Sequence, residues 1–296
     1  MKKNKTLIMV LFFFMGLLVL LYPSLSDFYN QKVQSKVIFD YETLLEKYTK
    51  EDYSTFFEEA YQYNNELQKL DNPYLSFNKL KNYNSIININ GDGMMGYVSI
   101  DKIKVELPIY HGTDDKVLSV AVGHLEGSSL PVGGKGTHSV LSAHRGLPSM
   151  KLFTDLDKLE IGDIFTVTIL DELLTYEVDK IEIVEPQQID SLAIDSNEDY
   201  VTLMTCTPYG INSHRLLVRG KRIENTKKPM YVTTEAFRVN TIVVTSLVAL
   251  PIIFLLLLFI LFKPVENNNK NKIIEKYVFP LKNKKEFGGK YEKETK

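Results

Sequence analysis

The sequence predicts a mainly β catalytic-size domain, a barrel or sandwich, preceded by a helical region and bracketed by two membrane-type helices. Three observations carry this. Seven short β-type runs separated by Gly, Pro and Asp follow Gly96. Aromatic and aliphatic residues recur at helical spacing between Gln31 and Leu70. Two uncharged apolar runs lie near the ends of the 296-residue chain.

The apolar runs come first in the argument because they place the rest. Thr6 to Leu21 follows Lys2, Lys3 and Lys5; Ile242 to Phe262 carries no charge and is long enough to cross a bilayer, with Pro251 tolerable inside it. The tail from Lys263 onward holds ten Lys against five Glu. Positive flanks stay cytoplasmic, so both termini lie inside and the acidic region between about Tyr22 and Asn240 lies outside. The first run is also compatible with a cleaved signal, with Ser24-Leu25-Ser26 as a weak processing site; either reading exports the middle region. The formal net charge of −2 is thus the sum of an acidic exported part and two basic ends, and it argues against a nucleic-acid partner.

Within the exported part, Phe39, Leu44, Leu45, Tyr48, Phe56, Phe57, Tyr61 and Leu67 mark one or two amphipathic helices. Asp71-Asn72-Pro73-Tyr74 breaks them, because the residue before a proline is pushed out of the helical region. A further helical stretch runs to about Ile89, and Asn90-Gly91-Asp92-Gly93 is a turn. The strands are expected at Tyr97–Ile100, Val105–Tyr110, Ser139–Ser142, Ile164–Ile169, Thr175–Val184, Val201–Thr205 and Leu216–Lys221, with short helices near Lys116–Val122 and Met150–Leu156. The organisation reads as an N-terminal anchor or signal (1–22), a helical region (23–90), a β domain (91–225), a linker (226–240), a transmembrane helix (241–262) and a basic cytoplasmic tail (263–296).

The single cysteine excludes an internal disulfide framework and a Cys-rich metal site. Cys206 ends the run Val-Thr-Leu-Met-Thr-Cys, just before Thr-Pro-Tyr-Gly. A solitary exported thiol is a core residue, half of an intermolecular disulfide, or a nucleophile. A nucleophile needs a neighbouring base or cation to favour thiolate. His144 ends the run from Ser139, and Arg215 opens the next run nine residues after Cys206; on antiparallel neighbours, Cys206 and Arg215 face one site. Arg145 and Arg219 are alternatives to Arg215. His111, His124, His138 and His214 read as structural or surface residues, His214 because strand neighbours point to opposite faces. No His-x-x-x-His or carboxylate cluster suggests a metal.

Ser142-Ala143-His144-Arg145-Gly146, Thr202-Leu203-Met204-Thr205-Cys206-Thr207-Pro208-Tyr209-Gly210 and His214-Arg215-Leu216-Leu217-Val218-Arg219-Gly220 resemble the His, Cys and Arg motifs of sortases. Gly91–Tyr97 and Gly123–Gly134 resemble the class C, pilus-assembling branch, and the resemblance covers Gly91–Arg222. It implies an eight-stranded β-barrel and a cysteine transpeptidase without cofactor or metal. Cys206 attacks the Thr carbonyl of an LPxTG-like sorting signal, His144 serves as general acid and base, and Arg215 stabilises the oxyanion. The partners implied are pilin subunits carrying that signal and an acceptor Lys. Leu203 and Thr205 are candidates for lining the substrate groove or for plain strand positions. Asp71-Asn72-Pro73-Tyr74 resembles the Asp-Pro-aromatic lid of that branch, with Asn72 where Asp is usual and Asp71 displaced by one; a simple turn between helices is the alternative. Two other functions compete: attachment of surface proteins to a cell-wall precursor, and a catalytically silent membrane-anchored binding module.

Overall fold

The β-type runs close on themselves. In the computed structural model, which describes residues 2–225 together with 253 and 254, eight strands form a barrel. They are β1 (Met94–Ile100), β2 (Val105–His111), β3 (Val122–His124), β4 (Thr137–Ser142), β5 (Ile164–Ile169), β6 (Glu172–Val184), β7 (Asp199–Thr207) and β8 (His214–Ile223). Their order around the barrel is β1-β2-β3-β4-β7-β8-β6-β5. β2 with β3 and β4 with β7 are parallel; the other pairs are antiparallel. The interior is filled by Val98, Ile109, Leu141, Phe165, Val167, Leu203 and Val218, among others, all essentially inaccessible to water. Gly96 is required where β1 meets β5, since a Cβ there would lie 2.1 Å from the Thr168 carbonyl oxygen.

Two long helices precede the barrel, α1 (Lys2–Leu45) and α2 (Lys50–Gln68). The first apolar run and the start of the amphipathic region therefore form one continuous helix, with Pro23 inside it. Its stretch Ile8–Leu45 is long and apolar enough to cross a membrane, and its most apolar part is not buried by the other described residues. The other end of α1 docks on the barrel. Ile38, Tyr41 and Leu45 are buried, Gln34 donates to the Val120 carbonyl, and the Tyr41 hydroxyl donates to the Met95 carbonyl while accepting from the Leu170 amide. α2 begins with a capping box, Thr49 and Asp52 each satisfying the other's backbone amide. It buries Phe57, Ala60, Tyr63 and Leu67, and its Asn64 amide pairs with both the N–H and the carbonyl of Leu130.

Three local expectations are revised. β3 has only three residues, too few for an alternating pattern, and went unpredicted. The helix expected near Lys116–Val122 is the single turn α4 (Asp115–Leu118), capped by Asp114, after which the chain enters β3. Met150–Leu156 is a series of turns leading to a 3-10 turn at Leu156–Lys158. The linker expected at 226–240, the transmembrane helix at 241–262 and the tail at 263–296 lie outside the described residues, apart from Ile253 and Phe254. The Phe254 ring lies 6.4 Å from that of Phe14 in α1.

Candidate active site

β7 sits between β4 and β8, and alternation along it separates two faces. Val201 and Leu203 join the barrel core with Leu141 of β4 and Leu216 and Val218 of β8. The intervening side chains point outward. Met204 joins Val140 of β4 and Leu217 of β8 in a second, smaller apolar cluster, completed by Val184, Leu192, Leu125 and Tyr74. Cys206 has the parity of Met204, so its thiol belongs to this outer face, where it is partly exposed.

Cys206 and Arg215 are direct cross-strand partners in the β7–β8 pair, as the hairpin reading expects. On the other side, β4 runs parallel to β7 with Ser142 opposite Met204. The pairing continues one residue further: the Ala143 amide donates to the Met204 carbonyl, and the Thr205 hydroxyl donates to the Ala143 carbonyl at 2.8 Å. Carrying that register one step more brings His144 to the level of Cys206. The His144 carbonyl accepts from the Phe153 amide, which closes the loop that follows. The backbone thus brings Cys206 and Arg215 side by side, with the strand that leads to His144 ending next to them.

The Arg215 guanidinium donates to two carbonyls of its own hairpin, Asn212 at 3.3 Å and His214 at 3.1 Å. Arg219, the alternative four residues on, is engaged otherwise: both arms of its fork hold Asp179, and it stacks 4.1 Å over the Tyr200 ring. Arg145 binds Thr207 and Asp157.

Leu203 and Thr205 do not face the groove. Leu203 is fully buried in the barrel core, and Thr205 is spent on the Ala143 carbonyl. The outer-face members of the strand are Thr202, Met204 and Cys206, of which Thr202 is buried against His138. Thr202 and Leu203 are both buried, so the apolar texture of the run conceals which face is inside. Sequence reasoning missed Met204, which the parity of Cys206 along the strand could have marked.

Asp71-Asn72-Pro73-Tyr74 lies over this face. Asn72 caps the short helix α3 (Pro73–Ser76) by accepting from the Leu75 amide, with Pro73 in the first turn. Tyr74 packs into the outer cluster and its hydroxyl donates to the Leu192 carbonyl at 3.1 Å. Burial pushes this phenol above its ordinary pKa, so it stays a neutral donor. Gly127, with φ +88°, lets the segment settle this closely: a Cβ there would lie 2.8 Å from the Tyr74 Cα. Asp71 is exposed, and neither it nor Asn72 bonds Arg215.

The remaining histidines serve the scaffold. His124 bonds the Tyr83 hydroxyl and the Ser129 carbonyl, and His138 bonds the Ala193 carbonyl and the Thr202 hydroxyl. Burial lowers the pKa of each to about 4. His111 is held at the Gly93 carbonyl, and His214 is exposed beside Ser213.

Residues 98–223, nearly the whole barrel, match the sortase domain family. Among solved structures, sortase C1 from Streptococcus agalactiae is 48% identical with a TM-score of 0.59, covering 64% of this chain and 99% of that one. Clostridium perfringens sortase C, solved with the C-terminal cell wall sorting motif, is 44% identical with a TM-score of 0.57, covering 64% of this chain and 100% of that one. Sortase D of Bacillus subtilis (strain 168) is 32% identical over 131 residues, 43% of this chain and 63% of that protein. The chain spans 47% to 63% of the length of the curated relatives it matches. With its cysteine facing an arginine across the last hairpin of a closed barrel, and 48% identity to sortase C1 over 99% of that solved chain, this chain belongs to the sortase family, in its class C branch.

Proposed function

We propose that this chain is a membrane-anchored cysteine transpeptidase that links pilin subunits. The observation that carries the reading is the cross-strand pair Cys206–Arg215, beside which β4 ends with Ser142 opposite Met204, two residues before His144. The Cys206 thiolate attacks the Thr carbonyl carbon of an LPxTG-like signal, and the electron pair moves to the oxygen. The Arg215 guanidinium turns from its hairpin carbonyls to that oxyanion. Collapse expels the downstream segment as an amine that takes its proton from His144. The thioester keeps the energy of the cleaved amide. A Lys amine of a second pilin then attacks it, His144 accepts a proton, and an isopeptide bond replaces the thioester as Cys206 leaves. The outer cluster from Met204 towards Leu192 offers the apolar floor on which the peptide lies, and Tyr74 covers it as a lid until the peptide displaces it. The apolar start of α1 anchors the domain outside the cell membrane, with the basic tail beyond 262 on the cytoplasmic side.

The sorting motif solved with C. perfringens sortase C supports the peptide class, and the class C likeness favours a pilin amine over a cell-wall precursor as acceptor. The test is product identity. Full-length protein in detergent, given an LPxTG-type peptide and a Lys-bearing pilin domain, should form an isopeptide-linked product detectable by tandem mass spectrometry. Product formed only with a cell-wall precursor amine would move the function to surface-protein attachment. No turnover at all would support a silent binding module.

A further inference from the structure

Arg145 is the charged member of the His motif that the mechanism above leaves idle, and it is largely buried. Its side chain is 10% exposed. It follows His144 directly and turns inward at the end of β4. One terminal nitrogen donates to the Thr207 hydroxyl at 3.3 Å, and the other pairs with Asp157 in the 3-10 turn Leu156–Lys158. Its Nε is buried without a partner. Thr207, itself 7% exposed, directly follows Cys206. The loop behind Arg145 is fixed in turn, with the Gly146 amide donating to the Thr154 hydroxyl and the Phe153 amide to the His144 carbonyl.

Burying a guanidinium with two of its three nitrogens occupied is a poor way to gain stability. It is an effective way to fix two chain ends, because the planar fork reaches two acceptors in set directions. Here the fork ties the residue after the base to the residue after the nucleophile.

We propose that Arg145 is a positioning residue: its bond to Thr207 sets the separation of His144 from Cys206. Neither Arg145 nor Thr207 touches substrate. β4 and β7 are parallel and their last ladder pair is Ser142–Met204; beyond the Ala143 contacts the two ends are joined by this side-chain bond and by the Tyr209 ring lying against Gly146. The claim rests on the assignment of Cys206 and His144 given above.

The experiment compares R145Q, R145K, T207V and R145Q/T207V in the full-length protein, each assayed for peptide acylation and for alkylation of Cys206 by iodoacetamide across pH. A misplacement of the order of an ångström lowers kcat by up to roughly a hundredfold. Each single variant is expected to lose about tenfold to a hundredfold in kcat with KM nearly unchanged, since the groove around Met204 is untouched. The double variant should be no worse than R145Q, because both changes cut one bond. R145K keeps the charge but loses the fork, so it should not restore kcat. T207V is near-isosteric and keeps Arg145 in place, which covers the case in which R145Q does not fold. In T207V the pH midpoint of alkylation should differ from that of the wild type as His144 and Cys206 separate. Wild-type kcat and midpoint in T207V, or full activity in R145K, would overturn the proposal. Cys206→Ala in parallel separates the two levels: an inactive Cys206→Ala with a wild-type T207V removes the role of Arg145 alone, whereas an active Cys206→Ala removes the underlying mechanism.

Discussion

Replacing Tyr74 tests the proposed lid and what would hold it closed. Two contributions are visible. The hydroxyl donates one hydrogen bond to the Leu192 carbonyl, and the ring covers a cluster of Val140, Val184, Leu192, Leu217, Leu125 and Met204. A neutral hydrogen bond contributes about 1 kcal/mol net, so Tyr74→Phe should raise the open fraction about fivefold. Tyr74→Ala also removes the buried ring, about 2 kcal/mol more, so the combined shift is of the order of a hundredfold. The observed rate follows the open fraction until the open state predominates. The assay is the pre-steady-state rate of acylation at peptide concentrations far below saturation, with the order Ala above Phe above wild type. No ion pair joins this segment to Arg215, since Asn72 caps α3 and the guanidinium binds its own hairpin. Raising salt from about 0.05 to about 0.5 M should therefore leave the wild-type to Ala ratio unchanged. Equal rates in all three proteins would refute the lid, and a ratio that collapses in salt would show an electrostatic latch in place of an apolar one.

Three further outcomes follow from the same contacts. Gly127→Ala places a methyl group 2.8 Å from the Tyr74 Cα on a residue with positive φ, so it should open the lid as Tyr74→Ala does and lower the melting temperature as well, read by the same acylation assay and by calorimetry. His124 and His138, with pKa values lowered to about 4, stay neutral in the fold but protonate below about 6.5 when unfolded. Stability is therefore complete above pH 6.5 and falls as the pH drops towards 4, by up to about 1.4 kcal/mol per pH unit for each histidine, checked by denaturant titrations across that window. Tyr41→Phe strips a partner from both the Met95 carbonyl and the Leu170 amide and should cost about 2 kcal/mol in chemical denaturation, because this hydroxyl fastens α1 to the barrel.

Much of the site was legible because it depends on local register. A nine-residue spacing between Cys206 and Arg215 admits a short hairpin, and the two are cross-strand partners. β5 occupies the six residues, Ile164–Ile169, that its alternation marks. What stayed hidden depends on tertiary neighbours. β3 exists because β2 and β4 flank it, not because Val-Gly-His prefers a strand. Leu203 and Thr205 looked like groove residues because β7 is buried on both faces in its middle, which erases the alternation that tells inside from outside. The lid segment was visible through Asn72-Pro73, but its hold on the barrel comes from Gly127 and Leu192, more than fifty and a hundred residues away. Arg145 sat in plain view in the motif, and only its burial and its bond to Thr207 separate it from Arg215.

The central claim is that Cys206 carries the acyl group between donor and acceptor. Intact-mass spectrometry of the full-length protein, quenched in acid after mixing with an LPxTG-type peptide and no amine, tests it most directly. The account predicts an adduct equal to the peptide cleaved after Thr, mapped to Cys206, discharged by hydroxylamine and absent in Cys206→Ala. An adduct that survives in Cys206→Ala, or cleavage of the peptide with no thioester at any time point, would contradict it.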